Sequence, residues 1–271
     1  MTLSIITINY NNAIGLKDTI ESVIIQDYKD YEFIIIDGGS TDESVDIIKK
    51  YKEQITYWIS EPDNGIYNAM NKGVKHAKGE YCIFMNSGDC FYNKTSIMSI
   101  FNKNLKEDII TGETVDNKTH KKWFTRQNDI SFLLFFRHTI SHQSSFIKTK
   151  LLKEFPYNEN LKIVSDWEFF IKTIIFYDCS FTFDDTIVAK LDLNGISITN
   201  EEQRIKERKE VLNNLFPQRV LDDYNKIKYI DPQLLSLIND ISKTYQIRKI
   251  AIKLLSILNK LSKLFKKTLH F

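Results

Sequence analysis

The stretch Cys82-Ile83-Phe84-Met85-Asn86-Ser87-Gly88-Asp89 is an apolar run that ends abruptly in a short polar turn. Its pattern predicts a buried β-strand that carries Asp89 to the rim of a sheet. A carboxylate in that position suits a hard divalent cation and the phosphates that such a cation carries. Two earlier segments, residues 4–11 and 33–42, have the same form. Three strands that release polar groups at one edge of a sheet predict a nucleotide site.

Strand-like and helix-like patterns alternate strictly through the first 90 residues. Apolar positions recur either as short continuous runs or at helical spacing, which distinguishes the two element types. The predicted strands are a segment ending near Ile8, then 31–36, 55–59 and 80–85, and the predicted helices are 14–26, 42–51 and 68–77. Ser40 or Thr41 is predicted to cap the second helix. The alternation predicts an α/β fold with a mostly parallel, Rossmann-like sheet flanked by helices, and ligands beyond the carboxyl ends of the strands.

The rest of the chain gives a coarser pattern. We predict helices over 96–102, 130–136 and 166–176 and a strand near Ile109. At 271 residues the chain is long enough for one large domain with an extension. We place the catalytic domain at 1–200 and a helical C-terminal extension at 201–271.

The cysteine content and the N-terminal sequence indicate in which cellular compartment the protein is expected. The three cysteines show neither a disulfide framework nor Cys-x-x-Cys spacing, which favours a reducing, cytoplasmic location. No basic segment followed by an apolar core opens the chain, so we expect no secretory signal. The sequence contains no run of about 18 apolar residues, so we expect no membrane-spanning helix.

Charge is distributed unevenly along the chain. The formal net charge is +2, yet eight Lys or Arg residues and no acidic residue follow Asp240, so the preceding part is net negative. A globular part of that sign argues against a nucleic-acid partner. The end of the chain is predicted to form a basic amphipathic helix, with lysines on one face and an apolar stripe on the other. Two partners remain open for it: the anionic inner face of the cytoplasmic membrane, or a protein surface in this or another copy.

Two common nucleotide-binding motifs are missing from the sequence. A dinucleotide-binding domain carries Gly-x-Gly-x-x-Gly after its first strand, where this chain has residues 9–12, Asn-Tyr-Asn-Asn. A phosphate-binding loop with Gly-Lys-Ser/Thr is also missing. The sequence therefore favours a sheet whose strand ends bind the nucleoside and whose bound metal neutralises the diphosphate.

An ordered set of motifs resembles the GT-A-fold family 2 glycosyltransferases of bacteria. The resemblance covers about the first 200 residues and rests on the turns at 37–42 and 86–89 together with the segment 61–73. It continues through His142-Gln143-Ser144-Ser145, Ser165-Asp166-Trp167-Glu168 and Asn194-Gly195-Ile196-Ser197. It implies the nucleotide-diphospho-sugar transferase fold and an enzyme that moves one sugar per encounter, because the chain has neither the Gln-x-x-Arg-Trp element nor the membrane helices of the processive synthases.

The resemblance also implies roles for two acids. Asp89 corresponds to the last acid of the family's Asp-x-Asp element and would hold Mg2+ or Mn2+. Asn86 stands where many relatives carry an acid, and we assign it to the donor nucleotide. Asp166 corresponds to the general base of an inverting displacement. Without the resemblance, Asp89 would be a turn residue and Asp166 an acid in the first turn of a helix.

Further assignments follow from the same motifs. The residues implied to contact the donor nucleotide, besides Asn86, are Thr7, Asn9, Tyr10, Asp37, Asn71 and Lys72. The alternative for Asp37 is a tight turn with a helix cap, and for Lys72 a solvated helix lysine. His142 and Trp167 are placed on the acceptor or phosphate side, and packing in the core is the alternative for Trp167 and for Trp123.

The sequence therefore predicts a metal-dependent, inverting glycosyltransferase. Its donor would be a nucleotide-diphosphate sugar, with UDP as the commonest choice in the family. Its acceptor would be a saccharide or lipid-linked saccharide in surface polysaccharide synthesis. Two alternatives stay open: a sugar nucleotidyltransferase, which we would expect to carry a Gly-rich basic phosphate loop, and a catalytically weak binding or adaptor protein on the same fold, suggested by Asn86.

Overall fold

The computed structural model describes residues 2–122, 130–192 and 199–268, with the backbone alone at 232–233 and 261–268. The chain divides into two compact units, Met1–Gln218 and Arg219–Phe271. The predicted domain boundary near residue 200 stays a prediction.

The first unit is built on one mixed sheet. Within the described ranges it has eight strands: β1 Leu3–Asn9, β2 Tyr31–Asp37, β3 Tyr57–Ser60, β4 Tyr81–Phe84, β5 Cys90–Phe91, β6 Ile109–Asp116, β7 Ser145–Lys148 and β8 Phe181–Leu191. Their order in the sheet is β3-β2-β1-β4-β7-β6-β8-β5. The pairs among β3, β2, β1 and β4 are parallel, and β7 pairs antiparallel with both β4 and β6. The predicted parallel sheet is thus the half formed by the first four strands, and the second half is mixed.

Helices connect and cover these strands. Those of the first unit are α1 Ala13–Ile24, α2 Ser44–Lys50, α3 Ile66–His76, α4 Ser96–Phe101, α5 Phe132–Arg137, α6 Thr149–Glu154, α7 Ser165–Phe170 and α8 Glu201–Leu215. A π-helical turn, Ile171–Phe176, continues α7, and a 3₁₀ turn, His142–Ser144, precedes β7. All the helices predicted from spacing are present, with ends shifted by a few residues.

The core explains why the first strands are continuously apolar. All seven residues of β1 are buried, as expected for a parallel strand covered on both faces. Leu16, Ile20 and Val23 of α1 pack into the core cluster with Ile5 and Phe33 of the sheet. Because side chains alternate along a strand, the other face of β1 is left for further packing, and α3 contacts β1 and β2. The central sheet therefore holds the ends of β1, β2 and β4 in fixed positions.

One local prediction is wrong. Helix α2 has no side-chain cap from Ser40 or Thr41, because it begins later, after Glu43. The Asp42 carboxylate instead accepts the backbone N–H groups of Ser44 (3.0 Å) and Ala13 (3.0 Å). Ser40 is engaged with Asp37, as described below, so the polar residues of this turn support the strand end and not the helix.

The second unit is helical. It comprises most of α9 Gln218–Ile227, then α10 Pro232–Ser242 and α11 Tyr245–Thr268. Large apolar side chains of α11 are exposed over its described part: Ile247, Ile250, Ile252, Leu254, Leu255, Ile257 and Leu258. Among the described residues, no helix has the length and apolar character needed to cross a membrane.

Candidate active site

The ends of three parallel strands lie side by side at one edge of the sheet. Asn9 of β1 pairs in register with Asp37 of β2. Pairing of β1 with the chain after β4 continues beyond the strand, since Met85 N donates to Ile6 O (2.9 Å) and Ser87 N to Ile8 O (3.1 Å). The turn that carries Asn86 and Asp89 is therefore fixed against the end of β1, as the strand pattern predicts.

Asp37 is the buried centre of a hydrogen-bond cluster. Its Oδ1 accepts from Asn9 Nδ2 (2.7 Å) and Ser40 Oγ (2.6 Å), and its Oδ2 accepts from Ser40 N (2.9 Å) and Ser60 Oγ (2.6 Å). Burial alone would raise the pKa of Asp37, but the hydrogen bonds from Ser40, Ser60 and Asn9 outweigh it and hold the pKa below its usual value. The ionised carboxylate thus fixes the shape of the turn at 38–40.

Tyr10 and Asp63 flank this turn. Tyr10 is 66% exposed, directly after the buried end of β1. A Cβ atom at Gly38 would lie 2.5 Å from Asp63 Oδ2 and 3.3 Å from Tyr10 Cδ2, so a larger residue at this position would require the Asp63 side chain to move. Thr7, by contrast, is fully buried and its hydroxyl donates to Met85 O (2.7 Å). An accessible aromatic ring and a carboxylate therefore lie at the rim, while Thr7 lies beneath it.

Asp89 lies in a buried position with few donors. Its Oδ1 accepts from Asp192 N (3.0 Å) and its Oδ2 from Gln143 Nε2 (3.1 Å). Burial raises the pKa of Asp89 to about 6, although both hydrogen bonds act in the opposite direction. Asp192 brings a second carboxylate close, because a Cβ atom at Gly88 would lie 3.2 Å from Asp192 Oδ2.

Helix α1 anchors the Asp89 turn from below. Thr19 is fully buried, and its Oγ1 donates to Asp89 O (2.7 Å) and accepts from Gly88 N (3.0 Å). Asn12, at the start of α1, donates through Nδ2 to Ser87 O (3.1 Å). The turn is held in place by side chains of α1 as well as by β1.

These residues fit a divalent cation that is shared with a ligand. Over the described ranges, no group of three or more His, Cys, Asp or Glu side chains forms a complete cage. Mg2+ is commonly held by one or two carboxylates together with substrate phosphates and water, which matches Asp89 with Asp192 nearby. Burial is the main cause of the raised pKa of Asp89, and the nearby Asp192 carboxylate adds to it.

Asp166, at the start of α7, has both oxygens hydrogen-bonded. Its Oδ1 accepts from the Tyr67 hydroxyl (2.8 Å), and its Oδ2 lies 3.0 Å from His142 Nδ1. Burial would raise the pKa of Asp166, but the contacts with His142 and Tyr67 outweigh it and lower the pKa. Burial together with Asp166 raises the pKa of Tyr67 well above its usual range, so Tyr67 stays a hydrogen-bond donor. Asp166 is therefore an ionised, oriented carboxylate.

Two consecutive residues link the two acids. His142 contacts Asp166, and Gln143 contacts Asp89, from the same 3₁₀ turn. His142 Nε2 also lies 3.3 Å from Asn86 Nδ2, in the turn that carries Asp89. Asp89 and Asp166, 77 positions apart in the sequence, thus meet on either side of one short turn.

Asn71 and Lys72 have protein partners. The Asn71 side chain donates to Tyr157 O (2.9 Å) and Glu159 Oε1 (2.8 Å) and accepts from Tyr157 N (3.0 Å). Lys72 Nζ lies 2.7 Å from Glu61 Oε1. Asn71 therefore ties α3 to the segment at 157–159, and Lys72 ties α3 to the segment that contains Asp63.

Trp167 is packed in the core. It is 2% exposed, and its Nε1 donates to Phe135 O (2.9 Å). This environment favours the packing alternative over stacking on a sugar. Trp123 and the motif at 194–197 lie outside the described residues.

Sequence reasoning did not assign Tyr67, Asp63, Gln143 or Asp192 to the site. Tyr67 and Asp63 lie inside the quoted 61–73 segment and Gln143 inside the 142–145 motif, so the motifs contained the signal without assigning roles. Asp192 follows β8, a strand that we did not predict.

The site geometry can be compared with known proteins. The family model described as Glycosyl transferase family 2 matches residues 4–166. A PGL/p-HBAD biosynthesis glycosyltransferase of Mycobacterium bovis is 30% identical over 176 residues, which cover 62% of this chain and 68% of that protein. An uncharacterised glycosyltransferase of Rickettsia typhi is 29% identical over 224 residues, 78% of this chain and 70% of the other.

Solved structures show the same fold. TarS 1-349 of S. aureus, in complex with UDP-GlcNAc, gives a TM-score of 0.61 at 19% identity, over 74% of this chain and 61% of that one. This chain thus spans about three fifths of the TarS fragment. The mannosyltransferase PcManGT of Pyrobaculum calidifontis, in complex with GDP-Man and Mn2+, gives 0.62 at 12% identity, over 94% and 79% of the two chains. These similarities confirm the predicted GT-A type of fold.

The family match covers more than half of the chain and includes the three strand ends, Asp89 and Asp166. The chain belongs to glycosyl transferase family 2, a family of sugar-transferring enzymes.

Proposed function

We propose that this glycosyltransferase moves a single sugar from a nucleotide-diphosphate sugar, UDP-linked in our first choice, with inversion and with the help of a divalent cation. The acceptor in this proposal is a hydroxyl group of a saccharide or lipid-linked saccharide used in surface polysaccharide synthesis. The observation that carries the proposal is the His142–Gln143 turn, which contacts Asp166 with one residue and Asp89 with the next.

Asp166 acts as the general base in this proposal. The acceptor hydroxyl transfers its proton to the Asp166 carboxylate while its oxygen forms a bond to the anomeric carbon of the donor sugar. The bond between that carbon and the diphosphate oxygen breaks, and its electron pair stays on the diphosphate. The lowered pKa keeps the carboxylate ionised at neutral pH, and His142 and Tyr67 hold its orientation. Attack from the face opposite the leaving group inverts the anomeric centre without a covalent sugar intermediate.

Asp89 is the proposed metal ligand, with Asp192 beside it. When bound there, Mg2+ or Mn2+ would neutralise charge on the departing diphosphate. The GDP-Man and Mn2+ found together in PcManGT support this assignment by analogy of fold. Asn86, in the same turn as Asp89, contacts His142 and is the proposed donor-nucleotide contact of this turn.

The strand ends of β1 and β2 form the proposed nucleoside side. Tyr10 offers the exposed ring, and the Asp37 cluster with Asn9 shapes the turn beneath it. Thr7 supports this edge from inside the sheet. We propose that Asn71 and Lys72 contribute through the protein segments they hold, since their polar groups are engaged there. The complex of TarS with UDP-GlcNAc supports a nucleotide-sugar donor by analogy of fold.

The last helix is the proposed membrane contact. The described part of α11 exposes apolar residues such as Ile250, Leu254 and Leu258, and the exposed lysines Lys249, Lys253 and Lys260 add positive charge. Each Lys or Arg near an anionic leaflet contributes about 1 kcal/mol, and the apolar residues add burial. We therefore propose reversible binding to an anionic membrane surface, which would place the enzyme near a lipid-linked acceptor.

Liposome flotation tests the membrane proposal. Replacing Lys249, Lys253 and Lys260 by Gln should lower the fraction bound to anionic vesicles, and high salt should do the same to wild type. Equal replacement of Lys50, Lys52 and Lys75, which lie in the first unit, serves as a matched control. Unchanged flotation of the α11 variant would exclude these lysines as the membrane contact, and dimerisation without vesicle binding would favour a protein partner.

A donor screen tests the catalytic proposal. Purified protein is incubated with single nucleotide sugars and Mn2+ or Mg2+ in the presence of saccharide acceptors, and the released nucleotide is identified. Release of a nucleoside diphosphate that is abolished by Asp166→Asn and Asp89→Asn supports the proposal, with Asp46→Asn, at an 81% exposed side chain, as control. Pyrophosphate exchange would indicate a sugar nucleotidyltransferase. No turnover over a full donor and acceptor panel would favour a binding protein.

A further inference from the structure

The backbone that leads to Asp166 is held by a residue outside the family match. Three consecutive N–H groups, those of Lys162, Ile163 and Val164, donate to the carboxylate of Glu207 on α8 at 2.9, 2.9 and 3.3 Å. Helix α7 has no side-chain cap from Val164, the residue before its first turn. Glu207 therefore orders the approach to this helix from a distant part of the chain.

Glu207 is built into its position. The residue is buried, and Gln203 Nε2 adds a fourth donor to its carboxylate (2.8 Å). A buried carboxylate is costly unless hydrogen bonds satisfy it, and here three of the four donors belong to the segment at 162–164. Loss of the acceptor would leave those backbone N–H groups unpaired in a buried place.

Arg208, the next residue of α8, contacts Trp167 of α7 and the backbone at 135–138. The Arg208 guanidinium lies 4.2 Å from the centre of the Trp167 ring and donates to Phe135 O at 2.7 Å. It also donates to His138 O (3.3 Å), four residues before His142. Burial lowers the pKa of Arg208 to about 10, so the group stays charged at neutral pH. Two adjacent residues of α8 thus brace the segments that supply Asp166 and His142.

A short path connects Glu207 to the carboxylate of Asp166. The carbonyl oxygen of Ile163, whose N–H donates to Glu207, lies 2.7 Å from the Tyr67 hydroxyl, which shares its one proton between this oxygen and Asp166 Oδ1. The same hydroxyl lies 2.8 Å from Asp166 Oδ1. A shift of the backbone at 163 would therefore move both the helix that carries Asp166 and the donor that orients it.

We propose that Glu207 is a positioning residue for the reaction, which fixes the segment 162–164 and thereby sets the catalytic rate without contributing to donor affinity. The inference rests on the proposed function, because it gives Asp166 the part of the base. It extends the site beyond the family match to a helix of the C-terminal region.

A matched pair of variants on α8 tests the kinetic part. Glu207→Gln keeps the size of the side chain but turns one acceptor into a donor, and Glu210→Gln removes an exposed charge one turn further along. Because a small misplacement of a reacting group costs up to about 100-fold, we expect kcat to fall about 10- to 100-fold in Glu207→Gln at an almost unchanged donor KM. Glu210→Gln should behave as wild type. In an Asp166→Asn background, Glu207→Gln should cause little further loss.

Amide hydrogen exchange supplies a readout that does not depend on turnover. Glu207→Gln should speed exchange at 162–168 and leave β1 and β4 unchanged, and Glu210→Gln should change neither. Glu207→Asp, which keeps the charge but shortens the reach, should give an intermediate rate of exchange. Unchanged exchange at 162–168, a full additional loss of kcat in the Asp166→Asn background, or global unfolding of Glu207→Gln would each overturn the proposal. If the wild-type protein shows no sugar transfer at all, the proposed function fails. The hydrogen-exchange result would still show whether Glu207 orders the segment 162–164.

Discussion

Asp89, in the turn after β4, and Asp166, at the start of α7, carry carboxyl groups whose pKa values are shifted in opposite directions. Burial dominates at Asp89 and raises its pKa to about 6, whereas contacts with His142 and Tyr67 outweigh burial at Asp166 and lower its pKa. The difference comes from the partners, because Asp89 receives only amide donors and Asp166 receives an imidazole and a phenol. Burial therefore destabilises the charged form of Asp89, whereas hydrogen bonds stabilise the charged form of Asp166.

Among substitutions that test this difference between Asp89 and Asp166, replacement of Asp166 should have the largest effect on kcat. Asp166→Asn keeps the shape and removes the proton acceptor, so kcat should fall about 10²- to 10⁴-fold. Donor binding should change little, because the proposed nucleoside side lies at β1 and β2. Steady-state kinetics with calorimetric measurement of donor binding checks both points. A kcat within threefold of wild type would remove Asp166 from the base role.

Asp89→Asn should weaken binding of the cation and thereby lower the rate of sugar transfer. We expect kcat/KM to fall about 10²- to 10³-fold at low Mn2+, since electrostatic stabilisation of a leaving group is a large term in catalysis. Raising Mn2+ should restore part of the activity if Asp192 remains a ligand. The measurement is a Mn2+ titration of initial rate, with Asp46→Asn as control. An identical Mn2+ dependence in variant and wild type would contradict the assignment.

The same variant should stabilise the metal-free protein in a pH-dependent way. The folded-state pKa of Asp89, about 6, is above its unfolded value of 3.8, so folding favours the protonated form. Protonated Asp89 therefore contributes to the free energy of unfolding. This contribution is fully present below pH 3.8 and is lost as the pH rises through 6, a loss of at most about 3 kcal/mol. Relative to wild type, Asp89→Asn should therefore gain unfolding free energy between pH 4 and pH 7. Urea unfolding at several pH values tests this, and a difference that is constant with pH would refute the buried-acid explanation.

The smallest expected effect is at Tyr67. Tyr67→Phe removes one hydrogen bond from Asp166, so the pKa of Asp166 should rise and the acid limb of the kcat profile should move to higher pH. A hydrogen bond of this kind corresponds to roughly fivefold to tenfold in kcat. Tyr92→Phe, at a partly exposed ring, is the control. A lower kcat with an unchanged acid limb would mean that Tyr67 stabilises the fold and does not stabilise the ionised Asp166 carboxylate.

Local pattern was sufficient to predict much of the first half of the chain. The ends of β1, β2 and β4 follow from apolar runs that stop at polar residues, because a parallel sheet forces such ends together. The cap predicted for α2 was wrong because Ser40 is hydrogen-bonded to the Asp37 carboxylate at the end of β2, and α2 begins only after Glu43.

The second half depends on contacts between residues far apart in sequence. The antiparallel insertion of β7 between β4 and β6 has no local signature, and neither does Gln143 reaching Asp89 or Glu207 reaching 162–164. The motif at 142–145 contained His142 and Gln143 but did not indicate which acid each one contacts. Such pairings are decided by packing of the whole sheet, so sequence spacing does not reveal them.

The hydroxyl of Thr19 has a thermodynamic consequence. Because it joins α1 to the backbone of Gly88 and Asp89, the loop that would meet the diphosphate is ordered when the chain folds. If the donor binds as proposed, the conformational entropy lost on its capture should fall mainly on the exposed side chains near Tyr10. Donor binding should consequently require little further ordering of the backbone at Gly88 and Asp89, and any rearrangement should involve the exposed side chains near Tyr10.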